Sequence, residues 1–299
     1  MPSFTFVSTA NAALRVGARP VFADIEERTL GLDLEDVARV VTSRTRALVP
    51  VHYAGTPPDM TSLLSMATAR GLKVIEDAAH ALGATWHGRA LGALGDAGCF
   101  SFHETKNVTC GEGGALALRD LEVARRAEVI REKGTNRRAF LRGEVEKYTW
   151  VAEGSSYVLS DVLAAILDAQ LDRFDEMQRR RARIERRYRD GLAGWAEEHG
   201  VRLAPEPADG RPSHHLFYLL FPDAAARTRS LDFLRARGIG AAFHYVPLHS
   251  SPRARALGAA RELPVTDRVA STLLRLPLHP LLSDGEVERV LEAVRESLS

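Results

Sequence analysis

The chain has 299 residues, a formal net charge of +1 and 45% hydrophobic residues. That composition supports sizeable cores and excludes a disordered chain. The near-neutral balance excludes a global basic field that would gather nucleic acid. Two cysteines, Cys99 and Cys110, imply no disulfide framework, and a reducing cytoplasm is the expected compartment.

From the N-terminus, short β-branched runs alternate with helical patterns. Strands are expected at 20–25, 46–53, 73–77, 97–102 and 114–119. Helices are expected at 33–41, where Asp33 stands near the start, at 59–71, stopped by Gly71, and at 121–134. This rhythm predicts an α/β fold with a mainly parallel sheet covered by helices. Ligands of such sheets sit at the carboxyl ends of strands, so His52, Asp77 and the segment around His103 are the positions to inspect. A long helix is expected from about 160 to 195, with Val162, Ile166, Leu171, Phe174, Met177, Ile184, Tyr188 and Leu192 on its apolar side. It contains RRRARIERRYR, which reads as a solvated face whose arginines pair with Glu176, Glu185 and Asp190 rather than as a nucleic-acid contact. A Pro/Gly/Asp-rich loop at 204–215 leads to a strand (216–221), a helix (about 226–237), a strand (239–245) and a final helix opened by a Ser283/Glu286 capping box. No apolar stretch approaches the length of a membrane-spanning helix.

The chemistry-bearing residues cluster after two of these strands. Asp77 ends the run KVIED, and an ionised carboxylate there needs either a partner or a helix to cap. Lys106 follows the apolar run CFSF. Gly111, Gly113 and Gly114 behind it permit a tight turn. A half-buried lysine amine gives up its proton easily and forms Schiff bases with aldehydes. Pyridoxal phosphate needs such a lysine, a carboxylate for its ring nitrogen and hydroxyl or N–H donors for its phosphate. Lys106, Asp77 and Ser101 could meet those needs.

The segments PSFTFVSTANAAL, GARPVFADI, VPVHYAGTPPDM, VIEDAAHALGATWHGRALG, CFSFHETKN, GEGGAL, REKGTNR and FHYVPLH resemble, in order, the DegT/DnrJ/StrS-type sugar aminotransferases. Within that family, FSFHETKN, REKGTNR and KYTW resemble the dTDP-4-amino-4,6-dideoxygalactose transaminases. The resemblance implies an aspartate-aminotransferase-like fold (PLP fold type I), with a PLP-binding large domain over 1–175 and a connecting helix and small α+β domain over 176–299. It implies transfer of an amino group from L-glutamate, released as 2-oxoglutarate, to a nucleotide-linked 4-oxo sugar, in a homodimer with shared active sites. Carried onto this sequence, Lys106 forms the Schiff base and shuttles the proton. Asp77 holds the ring nitrogen and His80 lies toward the ring hydroxyl. Ala79 and Phe6 pack on the two ring faces, and Ser101 binds the phosphate. Ser156 stands where many relatives send an asparagine to the neighbouring subunit's phosphate. His244, Tyr245 and His249 would line the sugar pocket.

By the same resemblance, a small-residue turn and a helix N-terminus giving N–H groups to the phosphate are expected ahead of PSFTF, and the chain reads as N-terminally truncated. An inactive relative that keeps the fold as a partner subunit is the alternative from another class. A related PLP-dependent sugar dehydratase is disfavoured, because such enzymes resemble the family but carry histidine where Lys106 stands. The ten histidines give no HExxH pattern, since Asn107 occupies the needed position, and no metal is expected. The two cysteines lack CxxC spacing and read as small apolar fillers.

Overall fold

The computed structural model describes residues 1–298. The chain opens with α1 (Val7–Arg15) and α2 (Leu34–Val40), the latter capped by the Asp33 carboxylate on the Glu35 N–H. Then come β1 (Ala47–Leu48), α3 (Met60–Ala69), β2 (Lys73–Asp77), a small hairpin of β3 (Thr85–Trp86) and β4 (Arg89–Ala90), β5 (Ala97–Ser101) and β6 (Gly114–Leu118). The larger sheet has the order β1-β2-β5-β6; β1, β2 and β5 run parallel, and β6 returns antiparallel to β5. Helices α2 and α3 supply Val37, Met60, Leu63 and Ala67 to a core with Leu48, Val74, Leu91 and Leu94.

Helices α4 (Leu121–Arg131), α5 (Arg137–Leu141), α6 (Asp161–Leu171) and α7 (Phe174–Glu198) follow, then β7 (Arg202–Leu203), β8 (Phe217–Leu220), α8 (Ala224–Ala236), α9 (Pro252–Ala256), α10 (Pro264–Thr272), β9 (Leu273–Leu276) and α11 (Asp284–Glu296). The second sheet is antiparallel, in the order β7-β8-β9. Its central strand, Phe-Tyr-Leu-Leu, is buried throughout. Helix α7 lays Ile184, Tyr188, Leu192, Trp195 and Ala196 on one stripe against it, the spacing of a helix with one buried face. On α7, Arg180, Arg183, Arg187 and Arg189 are held by Glu176, Glu185, Glu206, Asp284 and Glu288 rather than Asp190, and Arg181 is buried against the carbonyls of His214, His215 and Leu278.

Several expected elements differ. Residues 20–25 form no strand; their backbone pairs only at Pro2–Ala23 and Ile25–Leu32. The Asp24 carboxylate instead accepts from the Val265 and Thr266 N–H groups and the Thr266 hydroxyl, tying this segment to the start of α10. The helix expected over 160–195 is two helices. Its break at Asp172–Arg173 turns Phe174 toward Gly83 and a small core of Phe102, Val108 and Cys110. Residues 239–245 are irregular, with only Ala242 bridged to Arg275. The partner strand β9 was not expected from the sequence. Among the described residues no helix is long and apolar enough to cross a membrane.

Candidate active site

Strands alternate their side chains, so Ile75 and Asp77 of β2 project to one face of the sheet and Val74 and Glu76 to the other. In register, Asp77 stands beside Cys99 of β5, with Ser101 two residues further along the same face. Ile75, Asp77, Cys99 and Ser101 open onto one large cavity of about 1920 Å³. The same cavity is lined by Lys106, Ala79, His80, Phe6, His244 and Tyr245. Parallel pairing, together with the turn that follows β5, thus brings the carboxylate of Asp77 and the amine of Lys106 to one cavity.

Asp77 is fixed from two sides. The Thr9 hydroxyl donates to its Oδ2 at 2.6 Å and the Ala79 N–H to its Oδ1 at 3.2 Å. Thr9 in turn shares a 2.8 Å hydroxyl contact with Thr5. Thr9 lies three residues after Phe6, one helical turn, so α1 delivers both to the cavity. Phe6 is 59% exposed and lines the cavity.

Lys106 sits in a tight turn after β5, its N–H donating to the His103 carbonyl. Burial lowers the pKa of its amine below 10.5; Asp77 opposes the shift and Arg275 adds to it. The next residue is clamped. The Asn107 amide donates to the Ser213 carbonyl at 2.6 Å and to Gln178 at 3.2 Å, while its Oδ1 accepts from His215 Nδ1 at 2.8 Å. Gly111 turns the chain back with φ +90°, a conformation that favours glycine. Gly113 and Gly114 serve close packing instead: a Cβ would lie 2.9 Å from Cys110 Sγ and 2.9 Å from the Phe100 carbonyl, respectively.

His80 is buried, its ring 4.2 Å from that of His215. Burial first, then the charges of His215, Lys106, His244 and Arg275, hold it well below the usual histidine value, so it is neutral near pH 7. His244 stacks on Tyr245 at 4.1 Å, and its pKa is lowered to about 3 by burial, Arg275 and Lys106. Arg275 Nη1 donates to His244 Nε2 at 2.6 Å. The same Nη1 lies 3.3 Å from His244 Nδ1, which also faces the Tyr53 hydroxyl at 3.2 Å.

Two residues are placed elsewhere. His249 is 4% exposed and outside the cavity wall; its Nδ1 meets Ser3 Oγ at 2.8 Å and its Nε2 lies 3.3 Å from Asp267. Ser156 is exposed and bridged to Glu132, outside its own chain's cavity. His52, at the third strand end, is fully buried on the opposite face against Glu76. Cys110 is an apolar filler as expected, whereas Cys99 is exposed on the cavity wall beside Asp77. Thr9, His215 and Arg275 escaped the sequence reading, which examined strand ends, while these lie on a helix, in a loop and within a strand.

These groups fit pyridoxal phosphate on their own chemistry. A half-buried amine whose pKa burial lowers faces the same cavity as a carboxylate oriented by two donors, with a hydroxyl and an exposed aromatic residue at the same wall. A mainly parallel α/β sheet presenting this pair at its strand ends defines a PLP-dependent enzyme of fold type I. The comparisons make the class specific. The chain belongs to the DegT/DnrJ/EryC1/StrS aminotransferase family, whose pattern matches residues 1–295. It is 37% identical over 301 residues to the spore coat polysaccharide biosynthesis protein SpsC of Bacillus subtilis, covering 98% of this chain and 77% of that one. Among solved structures it is similar to the aminotransferase TlmJ from Streptoalloteichus hindustanus, with 37% identity, a TM-score of 0.90 and 99% and 78% of the two chains covered. It is also similar to S. venezuelae DesV, solved in complex with a ketimine intermediate, with 36% identity, a TM-score of 0.89 and 100% and 77% covered. The chain is a PLP-dependent enzyme of a sugar aminotransferase family.

Proposed function

We propose that the chain moves an amino group from L-glutamate to the keto carbon of a 4-oxo-6-deoxy sugar carried on thymidine diphosphate, with 2-oxoglutarate as co-product. The observation that carries this reading is the meeting of Lys106 and Asp77 in one cavity, with the amine displaced toward its neutral form by burial. When bound, pyridoxal phosphate supplies the electron sink that lets the donor's α-proton leave. Lys106 is the residue that removes this proton and returns it, which needs a neutral amine within reach of the α-carbon. The Asp77 carboxylate would accept from the ring nitrogen and favour its protonated form, and Thr9 and the Ala79 N–H keep that carboxylate from turning.

In this reading Ser101 would donate to the phosphate, Ala79 and Phe6 would hold the ring between them, and neutral His80 would meet the ring hydroxyl. His244 and Tyr245 line the sugar side, and His249 steadies that wall through Ser3. Ser156 reaches the neighbouring subunit's phosphate in a homodimer, and the enzyme works in the cytoplasm. The name of the B. subtilis relative, a spore coat polysaccharide biosynthesis protein, supports a product destined for a cell-surface glycan.

The test uses the four lysines of the chain, Lys73, Lys106, Lys133 and Lys147. Protein mixed with pyridoxal phosphate is reduced with borohydride and the modified peptide mapped. Label on Lys106 is expected; label on another lysine, or on none, overturns the assignment. Release of 2-oxoglutarate from L-glutamate that depends on a dTDP-4-oxo-6-deoxyhexose then tests the substrate pair.

A further inference from the structure

Charged side chains in this fold are matched with care. Arg261 grips Asp36 with two bonds of 2.7 and 2.9 Å, Arg187 pairs with Asp284 and Glu288, and Arg189 with Glu185 and Glu206. The buried Arg181 has three carbonyl acceptors. Arg275 is different. Its backbone is fixed on both sides, in register with Tyr218 of β8 and bonded in both directions to Ala242, so its stem cannot wander. Its guanidinium lines the cavity that holds Lys106. Among the described residues it meets no carboxylate, and its hydrogen-bond partner is the imidazole of His244. Its Nε is buried without an acceptor, as is that of Arg181, but among the described residues Arg275 has no carbonyl or carboxylate acceptor at all. A neutral imidazole supplies no countercharge, and a guanidinium cannot relieve itself by losing a proton. A cation left unmatched at the wall of a reaction cavity is matched by what enters it.

We propose that Arg275 is the carboxylate-binding residue for the amino donor, fixing a carboxylate of L-glutamate on the His244–Tyr245 side of the cavity. This rests on the transaminase reading. A single planar guanidinium suits one carboxylate, whose two oxygens match its fork. The ligand that reacts at Lys106 and carries a carboxylate near its reacting carbon is the amino acid. The keto sugar has none, and its diphosphate lies several atoms from the keto carbon. His244 holds one Nη in place, so the carboxylate meets a guanidinium whose orientation is set beforehand.

The experiment compares the wild type with Arg275→Gln and Arg275→Lys. Calorimetry measures 2-oxoglutarate binding to the cofactor-loaded and unloaded proteins, and half-reactions measure KM and kcat for L-glutamate and for the nucleotide sugar separately. Arg275→Gln is expected to weaken 2-oxoglutarate and raise the KM for L-glutamate by roughly 30-fold or more, the cost of removing one partner of a desolvated charge pair. The KM for the sugar should stay within about threefold, and Arg275→Lys should recover part of the loss. Three results overturn the proposal: 2-oxoglutarate binding within about threefold of wild type in Arg275→Gln, a loss that falls on the nucleotide sugar instead, or a loss of cofactor loading, which would assign the guanidinium to a phosphate. Should wild-type Lys106 take no cofactor, the transaminase reading fails by itself, and 2-oxoglutarate binding to the unloaded proteins still decides the role of Arg275.

Discussion

Replacing Glu76 with glutamine tests whether a buried carboxylate holds together the strand that carries Asp77. Glu76 is fully buried. Its Oε1 accepts from the Leu94 and Gly95 N–H groups at 2.7 Å each. Its Oε2 accepts from Gly92 N–H at 2.7 Å and His52 Nε2 at 2.8 Å. An amide in this place must present an NH2 edge to one of these pairs of donors. The less costly orientation faces His52 and Gly92, because His52 can move its proton to Nδ1, which has no partner of its own. Even so, the Gly92 N–H loses its acceptor, and the bonds that remain change from charge-assisted to neutral. An amide is cheaper to bury than a carboxylate, which offsets part of the loss. The net destabilisation is about 3 kcal/mol, read from urea unfolding at pH 7 as a shift in midpoint at unchanged slope.

The dependence on pH supplies a second reading. Burial alone would raise the Glu76 pKa, but the bonds from His52, Gly95 and Gly92 outweigh it and hold the group below 4.5. A carboxylate with a depressed folded pKa contributes fully above its unfolded value and loses that contribution as pH falls through the folded one. The gap between wild type and Glu76→Gln should therefore shrink as the pH drops below about 4.5. A gap under about 1 kcal/mol at pH 7, or one that widens in acid, would refute this account of the loop at 92–95.

Other consequences can be measured directly. Thr9→Val removes the 2.6 Å donor to Asp77 and should weaken pyridoxal phosphate about tenfold by spectroscopic titration, with thermal stability nearly unchanged. Gly98→Ala places a Cβ 1.9 Å from the Gly92 carbonyl, so this β5 variant should be destabilised by more than about 4 kcal/mol and accumulate little soluble protein. Arg261→Met strips Asp36, whose side chain is 4% exposed, of its two-bond partner and leaves Arg39 and the Asp24 N–H; a loss of about 2 to 3 kcal/mol is expected by denaturant melt.

The chemical centre was legible because its residues obey rules that act over a few positions. Asp77 and Lys106 follow strongly apolar, β-branched or aromatic runs, and polar residues at strand ends of a parallel sheet face the ligand side. The turn at Gly111 followed from a glycine where the chain must reverse. The opposite wall was less legible because it depends on long-range pairing. Arg275 interrupts the apolar run Leu-Leu-Arg-Leu-Pro-Leu, and only its pairing with Tyr218 and Ala242 turns it to the cavity. Thr9 looks like an ordinary helix residue until the fold brings Asp77 to it. The segment at 20–25 has strand composition, yet Asp24 binds the start of α10 and its backbone pairs at isolated points only. For the family resemblance, His249 carries the matching motif position, while its side chain serves a buried bond to Ser3.

The parallel pairing of β2 with β5 has a consequence for how such a site can diversify. The carboxylate of Asp77 and the strand that leads into the Lys106 turn are held by the hydrogen-bond ladder of two adjacent strands, which varies little from one sheet to another. The cavity's far wall, from His244 to Arg275, hangs on an irregular segment bridged to a second sheet. Selection can redraw that wall for a new sugar or donor while the paired strands behind Asp77 and the Lys106 turn stay as they are.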